Sequence, residues 1–139
     1  MLSRPSAATA LFGIALSLVV LGGAVRSDTQ RKDRDILVVY IGAKDCGPCR
    51  QWQDDMGAKF RMSNEFRRLR YREVESPKLF WLLNDEVWPA DLRVYRQRID
   101  RTMGVPMWLV VLNGEVVTRG FGVSQWANTI IPTLRQLLN

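Results

Sequence analysis

The chain contains no histidine and only two cysteines. The first absence excludes Ser-His-Asp and Cys-His nucleophile systems, histidine-ligated metal sites and an imidazole general base. The second excludes a small domain stapled by several disulfides and a four-cysteine zinc site within one chain. Internal repeats and low-complexity tracts are lacking as well, and nothing in the sequence binds a nicotinamide or a flavin. What is present, 139 residues with 47% hydrophobic and 24% charged side chains, is the balance of one globular domain plus a terminal extension.

The formal charge is +6, and 16 of the 20 basic residues are arginine. Arginines cluster at Arg61, Arg67, Arg68, Arg70 and Arg72, and again at Arg93, Arg96, Arg98 and Arg101. Glu65, Glu73, Glu75, Asp91 and Asp100 are mixed into or beside both groups, and neither matches a nucleic-acid motif. The pattern is that of a solvated basic face, with no nucleic-acid partner expected.

Ala7 to Val25 is an uncharged run of nineteen residues, preceded by Arg4. Its apolar stretch Leu11–Leu21 and small-residue exit Gly22-Gly23-Ala24 fit a signal peptide. Its length also suffices to span a bilayer, which takes about 17–25 residues. Residues 1–25 are therefore read as a signal peptide, or as a membrane anchor through residues 7–25 if uncleaved. Arg26, Arg31, Lys32 and Arg34 follow the run, and a literal count of positive charges would hold the downstream domain in the cytoplasm. Export is nevertheless the reading adopted, to the periplasm or the extracytoplasmic face of a membrane. Residues 26–35 are polar and highly charged, a linker pattern, and the folded domain is expected over 36–139.

Ile36–Ile41 is a continuous run of β-favouring residues, as in a strand buried on both faces. A helix is expected from about Pro48 to Met62, with proline at a first helical position. Arg68–Val74 alternates polar and apolar residues, predicting a strand with one wet face. Ser76-Pro77 reads as the cap and first residue of a helix through about Val87. Trp88-Pro89 interrupts it, and a further helical piece is expected over roughly Leu92–Thr102. Met107–Leu112, Asn113-Gly114 and Glu115–Thr118 give a hairpin signal, because Asn-Gly tolerates the positive φ angles of a type I′ turn. Ser124 is expected to cap a last helix, with Pro132 imposing a kink or a late start. The predicted class is α/β, a central mixed sheet flanked by helices in the order β-α-β-α-β-β-α, preceded by the N-terminal apolar helix.

Where the first strand turns into a helix stands Cys46-Gly47-Pro48-Cys49. The first sulfur then meets the unpaired N–H groups and positive dipole end of the helix, which stabilise a thiolate. The second lies one turn on, close enough to close a disulfide. Cys46 is thus the candidate attacking thiolate and Cys49 the resolving thiol. Half a zinc site or an inert buried pair is the competing reading, and no further cysteine or any histidine exists to complete the zinc site.

Three segments in order resemble the thioredoxin family: Val38–Cys49, ending in Cys-Gly-Pro-Cys; Gly104-Val105-Pro106; and Asn113-Gly114-Glu115-Val116. The resemblance covers roughly Ile36 to Asn139. It implies a thioredoxin-like fold, a cis Val105–Pro106 peptide facing the disulfide, and substrate backbone pairing beside that proline. Two departures accompany it. Asp45 stands where the family has tryptophan, and Tyr40 where it has a buried acid. A tyrosine at its ordinary pKa cannot take the proton of Cys49. Asp45 should oppose the Cys46 thiolate, while Lys44 and Arg50 should favour it. The spacing from Cys49 to Pro106 is longer than in compact thioredoxins, and the extra residues around Trp81–Arg101 look like a partner-binding surface.

The resulting expectation is a thiol–disulfide oxidoreductase that reduces particular protein disulfides outside the cytoplasm. It would use the Cys46–Cys49 disulfide in place of a dissociable cofactor or metal, and an upstream thiol electron donor. Two alternatives stand beside it: a Cu(I) metallochaperone using both thiolates with Met103 or Met107, and a redox-silent interaction module on the same scaffold.

Overall fold

The computed structural model describes residues 34–139. The apolar segment 7–25 and the linker up to residue 33 lie outside the described residues; among those described, no helix is long and apolar enough to cross a membrane. Arg34 and Asp35, read as the end of the linker, are fastened to the domain. Arg34 donates to the Leu137 carbonyl at 2.8 Å, and the Asp35 carboxylate accepts both ends of the Arg70 fork at 2.8 and 2.7 Å.

Four strands form one mixed sheet in the order β2-β1-β3-β4: β1 Ile36–Ala43, β2 Arg70–Ser76, β3 Met107–Leu112 and β4 Glu115–Phe121. β1 runs parallel to β2 and antiparallel to β3, so it is central and every one of its residues is buried. Its side chains alternate between two cores, Ile36, Val38 and Tyr40 on one face and Leu37, Val39 and Ile41 on the other. The β3–β4 hairpin turns at Asn113 and Gly114, whose φ angles of 51° and 88° are those an Asn-Gly type I′ turn requires.

Helix α1 (Gly47–Trp52) continues through a π-helical stretch, Gln53–Gly57, into α2 (Ala58–Arg61). The C-terminal helix is built alike, as α4 (Val123–Gln125), a π-helical Trp126–Ile130, and α5 (Ile131–Leu138). Pro132 has no N–H and its ring crowds the carbonyl four residues back, so the chain widens before it and α5 takes the proline in its first turn. Ser124 is not the cap; Gly122, at φ 79°, occupies that position.

The expected helix from Ser76-Pro77 to Val87 is replaced by 3₁₀ turns at Leu79–Trp81, Asp85–Val87 and Ala90–Leu92. The helical piece expected over 92–102 shrinks to α3, Arg93–Arg96. Lys78, Asn84 and Trp88 have extended backbone that breaks any helix, and Trp88 is bound to it by the proline that follows. Ser76 ends β2 instead of capping a helix: its hydroxyl donates to the Lys78 carbonyl at 2.6 Å. Buried Leu82, Trp88 and Leu92 anchor the segment to the second face of the sheet.

Candidate functional site

β1 ends at Ala43, and the chain turns through Lys44 and Asp45 into α1. The Cys46 N–H closes this turn on the Ala43 carbonyl at 3.1 Å, and the Lys44 N–H ties it to the Ser76 carbonyl on β2 at 2.9 Å. Cys46 is the N-cap residue of α1, Gly47 and Pro48 open the helix, and Cys46 and Cys49 are joined in a disulfide. The Cys49 N–H donates to Cys46 Sγ at 3.2 Å, so a helix-terminal donor aims at the first sulfur. Cys46 is 8% exposed and Cys49 1%.

The Val105–Pro106 peptide is cis. The Val105 carbonyl oxygen lies 4.0 Å from Cys46 Sγ, and Val105 packs on the cluster of Ala43, Cys46 and Cys49. Tertiary structure therefore brings Val105 to the dithiol across a separation of 59 residues.

The charged residues flanking the dithiol have other attachments. Asp45 accepts the Leu79 N–H at 2.9 Å and holds the first 3₁₀ turn of the irregular segment. Arg50 folds back to donate to the Lys44 carbonyl at 2.6 Å. Lys44 itself is exposed. Tyr40 lies fully buried on β1 and stacks on Trp52, with ring centroids 5.0 Å apart. A Cβ on Gly42 would come within 2.2 Å of the Tyr40 hydroxyl, so the glycine makes room for it. Burial pushes the Tyr40 pKa up to about 12. The Gln53 amide is already engaged by Arg61 and Glu73, and the Tyr40 hydroxyl has no hydrogen-bond partner among the described residues. Such a group stays protonated and neutral through the physiological range.

Met107 is buried in the second core and Met103 packs against it, so both fill apolar space. Among the described residues no group of three or more Cys, His, Asp or Glu side chains could hold a metal ion.

The sequence reading overlooked Leu79 and Phe80 and placed Trp81 only in a helical insertion. These three large apolar residues are exposed beside the redox turn, Phe80 at 74%. The signal was the run Leu79-Phe-Trp-Leu-Leu83: five consecutive apolar residues cannot all face one core, whichever element carries them.

No protein-family model matches the sequence, and no curated protein matches it. Solved structures do. The chain is similar to Malassezia sympodialis thioredoxin (14% identity, 76% of this chain and 79% of that one, TM-score 0.51). It is similar to Fasciola hepatica thioredoxin (16% identity, 78% and 86%, TM-score 0.50). Thioredoxin O2 from Arabidopsis thaliana in its oxidized state is a third such structure (18% identity, 78% and 80%, TM-score 0.50). At these identities the likeness shows the fold: the chain is a thioredoxin-fold protein of α/β class.

Proposed function

We propose that this thioredoxin-fold protein is a thiol–disulfide oxidoreductase that reduces particular protein disulfides outside the cytoplasm. The observation that carries it is the Cys46–Cys49 disulfide at the start of α1, its first cysteine slightly more exposed than its second. In the reduced form the Cys46 thiolate attacks one sulfur of a partner disulfide. That bond breaks, the far sulfur leaves as a thiolate, and Cys46 is joined to the partner. The Cys49 thiolate then attacks Cys46 Sγ, the mixed disulfide breaks, and the second partner sulfur leaves. Two electrons have passed to the partner, and an external dithiol must restore the Cys46–Cys49 pair.

The proton of Cys49 has no acceptor in Tyr40, whose pKa near 12 leaves it no capacity as a base. The departing partner thiolate, at an ordinary pKa of about 8.5, is the base at hand. Lys44 and Arg50 favour the Cys46 thiolate, and Asp45 opposes it less than a free carboxylate would, because it is bound to the Leu79 N–H. The placement outside the cytoplasm, whether as a free domain or anchored through residues 7–25, rests on the apolar run and the disulfide chemistry it would serve.

Trapping tests this reading. A Cys49→Ser variant should hold partner proteins as mixed disulfides on Cys46 that dithiothreitol releases, and Cys46→Ser should hold none. Equal capture by both variants, or by neither, overturns it.

A further inference from the structure

The helical face carries a groove of about 460 Å³ between α2 and the C-terminal helix. Its floor is apolar, made by Met56, Phe60, Trp126, Ala127 and Ile131. Two ion pairs stand on its rim: Lys59 holds Asp55 at 2.6 Å, and Arg135 holds Glu65 at 3.2 Å. Ser63, the remaining polar residue of the lining, accepts the Phe66 N–H at 3.2 Å. Met62 ends α2 beside the groove and is 73% exposed.

Charge decides what is fit to cover this patch. The chain carries a net +6, and among the described residues Arg93, Arg98, Arg101 and Arg119 have no ion-pair partner. Two copies repel where such arginines face one another. At the groove each cation is matched by a carboxylate. Of the neighbouring arginines, Arg61 turns onto Gln53 and Glu73, and Arg67 is held by Asn64. A strongly acidic or basic partner gains little there from its charge, whereas a second copy meets both signs.

Shape selects the same occupant. A protruding side chain and a hole on one patch suit a two-fold contact, in which each copy fills the other. An apolar cavity of roughly 150 Å³ already accommodates benzene, so this groove has room for a methionine, whose unbranched thioether adapts to irregular apolar surroundings. We infer that the groove is the contact between two copies of this chain, each copy's Met62 seated on the other's Phe60 and Trp126. The dithiols stay outside it. Cys46 opens α1, and Met56 lies about 15 Å further on at the helical rise of about 1.5 Å per residue. The pair therefore carries two uncovered dithiols.

Sedimentation equilibrium of the full chain in density-matched detergent tests the pairing. The wild-type chain should show a monomer–dimer equilibrium. Met62→Asp should weaken the dimer at least about tenfold, the loss expected of one interface anchor. Its unfolding midpoint should hardly move, because the side chain is exposed. Glu65→Arg makes the rim basic and Arg135→Glu makes it acidic, at little cost to a surface pair. Each alone should associate more weakly than wild type, and the two mixed should associate at least about tenfold more tightly than either alone. The reduced dimer and the reduced Met62→Asp monomer should react with dithiobis(nitrobenzoate) at equal rates per chain. A wild-type chain that stays monomeric overturns the pairing. So does a dimer that neither Met62→Asp nor the mixed charge variants alter, since another surface then holds it. A dimer whose dithiol reacts more slowly than the monomer's also overturns it, and moves the contact to the exposed Leu79–Trp81 turn. None of these outcomes bears on the oxidoreductase reading, which the trapping variants test.

Discussion

On one face of the sheet, Tyr40, Trp52, Trp108 and Trp126 stack beneath helices, with Trp52 centred 5.0, 5.0 and 4.9 Å from the other three rings. On the other face, residues 77–104 run across Leu37, Val39 and Ile41 in short turns, tied down by side chains. The Trp88 indole donates to the Leu82 carbonyl at 2.7 Å, Arg96 donates to the Leu83 carbonyl at 3.0 Å, and Asp45 takes the Leu79 N–H. The backbone of the first face bonds along longer helical stretches; that of the second bonds within short turns, such as the Trp81 N–H to the Lys78 carbonyl and the Leu92 N–H to the Pro89 carbonyl, and is fastened in addition by those side chains. The difference divides the labour of the site. The helical face fixes the two sulfurs, and the irregular face shapes what stands next to them.

Three substitutions would break or sharpen this comparison. Trp52→Ala should have the largest effect, about 3–5 kcal/mol of stability by denaturant unfolding, because it opens a cavity at the centre of the aromatic stack. A loss below about 1 kcal/mol would show that the stack does not hold the helical face together. Trp88→Phe should cost about 1–3 kcal/mol, since the buried Leu82 carbonyl loses its donor. Its effect should be confined to the irregular segment: amide exchange should quicken at residues 79–92 and not in α1. Uniform quickening would mean that the two faces unfold as one.

Tyr40→Phe should have the smallest effect and the opposite sign, a gain of about 1 kcal/mol, because a buried hydroxyl without a partner is removed. The pH dependence sharpens this. The Tyr40 pKa rises from 10.0 unfolded to about 12 folded, through burial. Its contribution is therefore complete below pH 10 and is lost as pH rises from 10 through 12. The phenylalanine variant should lose less stability across that window. Burial also raises the Tyr71 pKa, so some alkaline loss should remain. Identical wild-type and variant profiles above pH 10 would mean that the Tyr40 hydroxyl reaches water.

The helical and hairpin regions were legible in the sequence for local reasons. A run such as Ile36–Ile41 has a burial demand that one central strand meets, Asn113-Gly114 has the φ freedom that one turn type uses, and two cysteines three apart at a helix start can only be neighbours. The segment 77–104 was misread because apolar residues near helical spacing do not reveal where the extended breaks fall. Lys78, Asn84 and Trp88 take their backbone from the anchors at Leu82, Trp88 and Leu92, which exist only once the sheet is present.

By itself, then, the sequence determined the dithiol, the strand that leads into it, the hairpin and the α/β class, each through interactions spanning a few residues. Tertiary structure alone decided that Asp45 caps Leu79 across 34 positions instead of facing the thiolate freely. It also decided that the Tyr40 hydroxyl would be buried against Gly42, and that Ile41, Leu79, Met103 and Val105 would wall one cavity. Their meeting depends on how four strands and an irregular cover pack, a balance of burial against backbone hydrogen bonding that no local window of sequence contains.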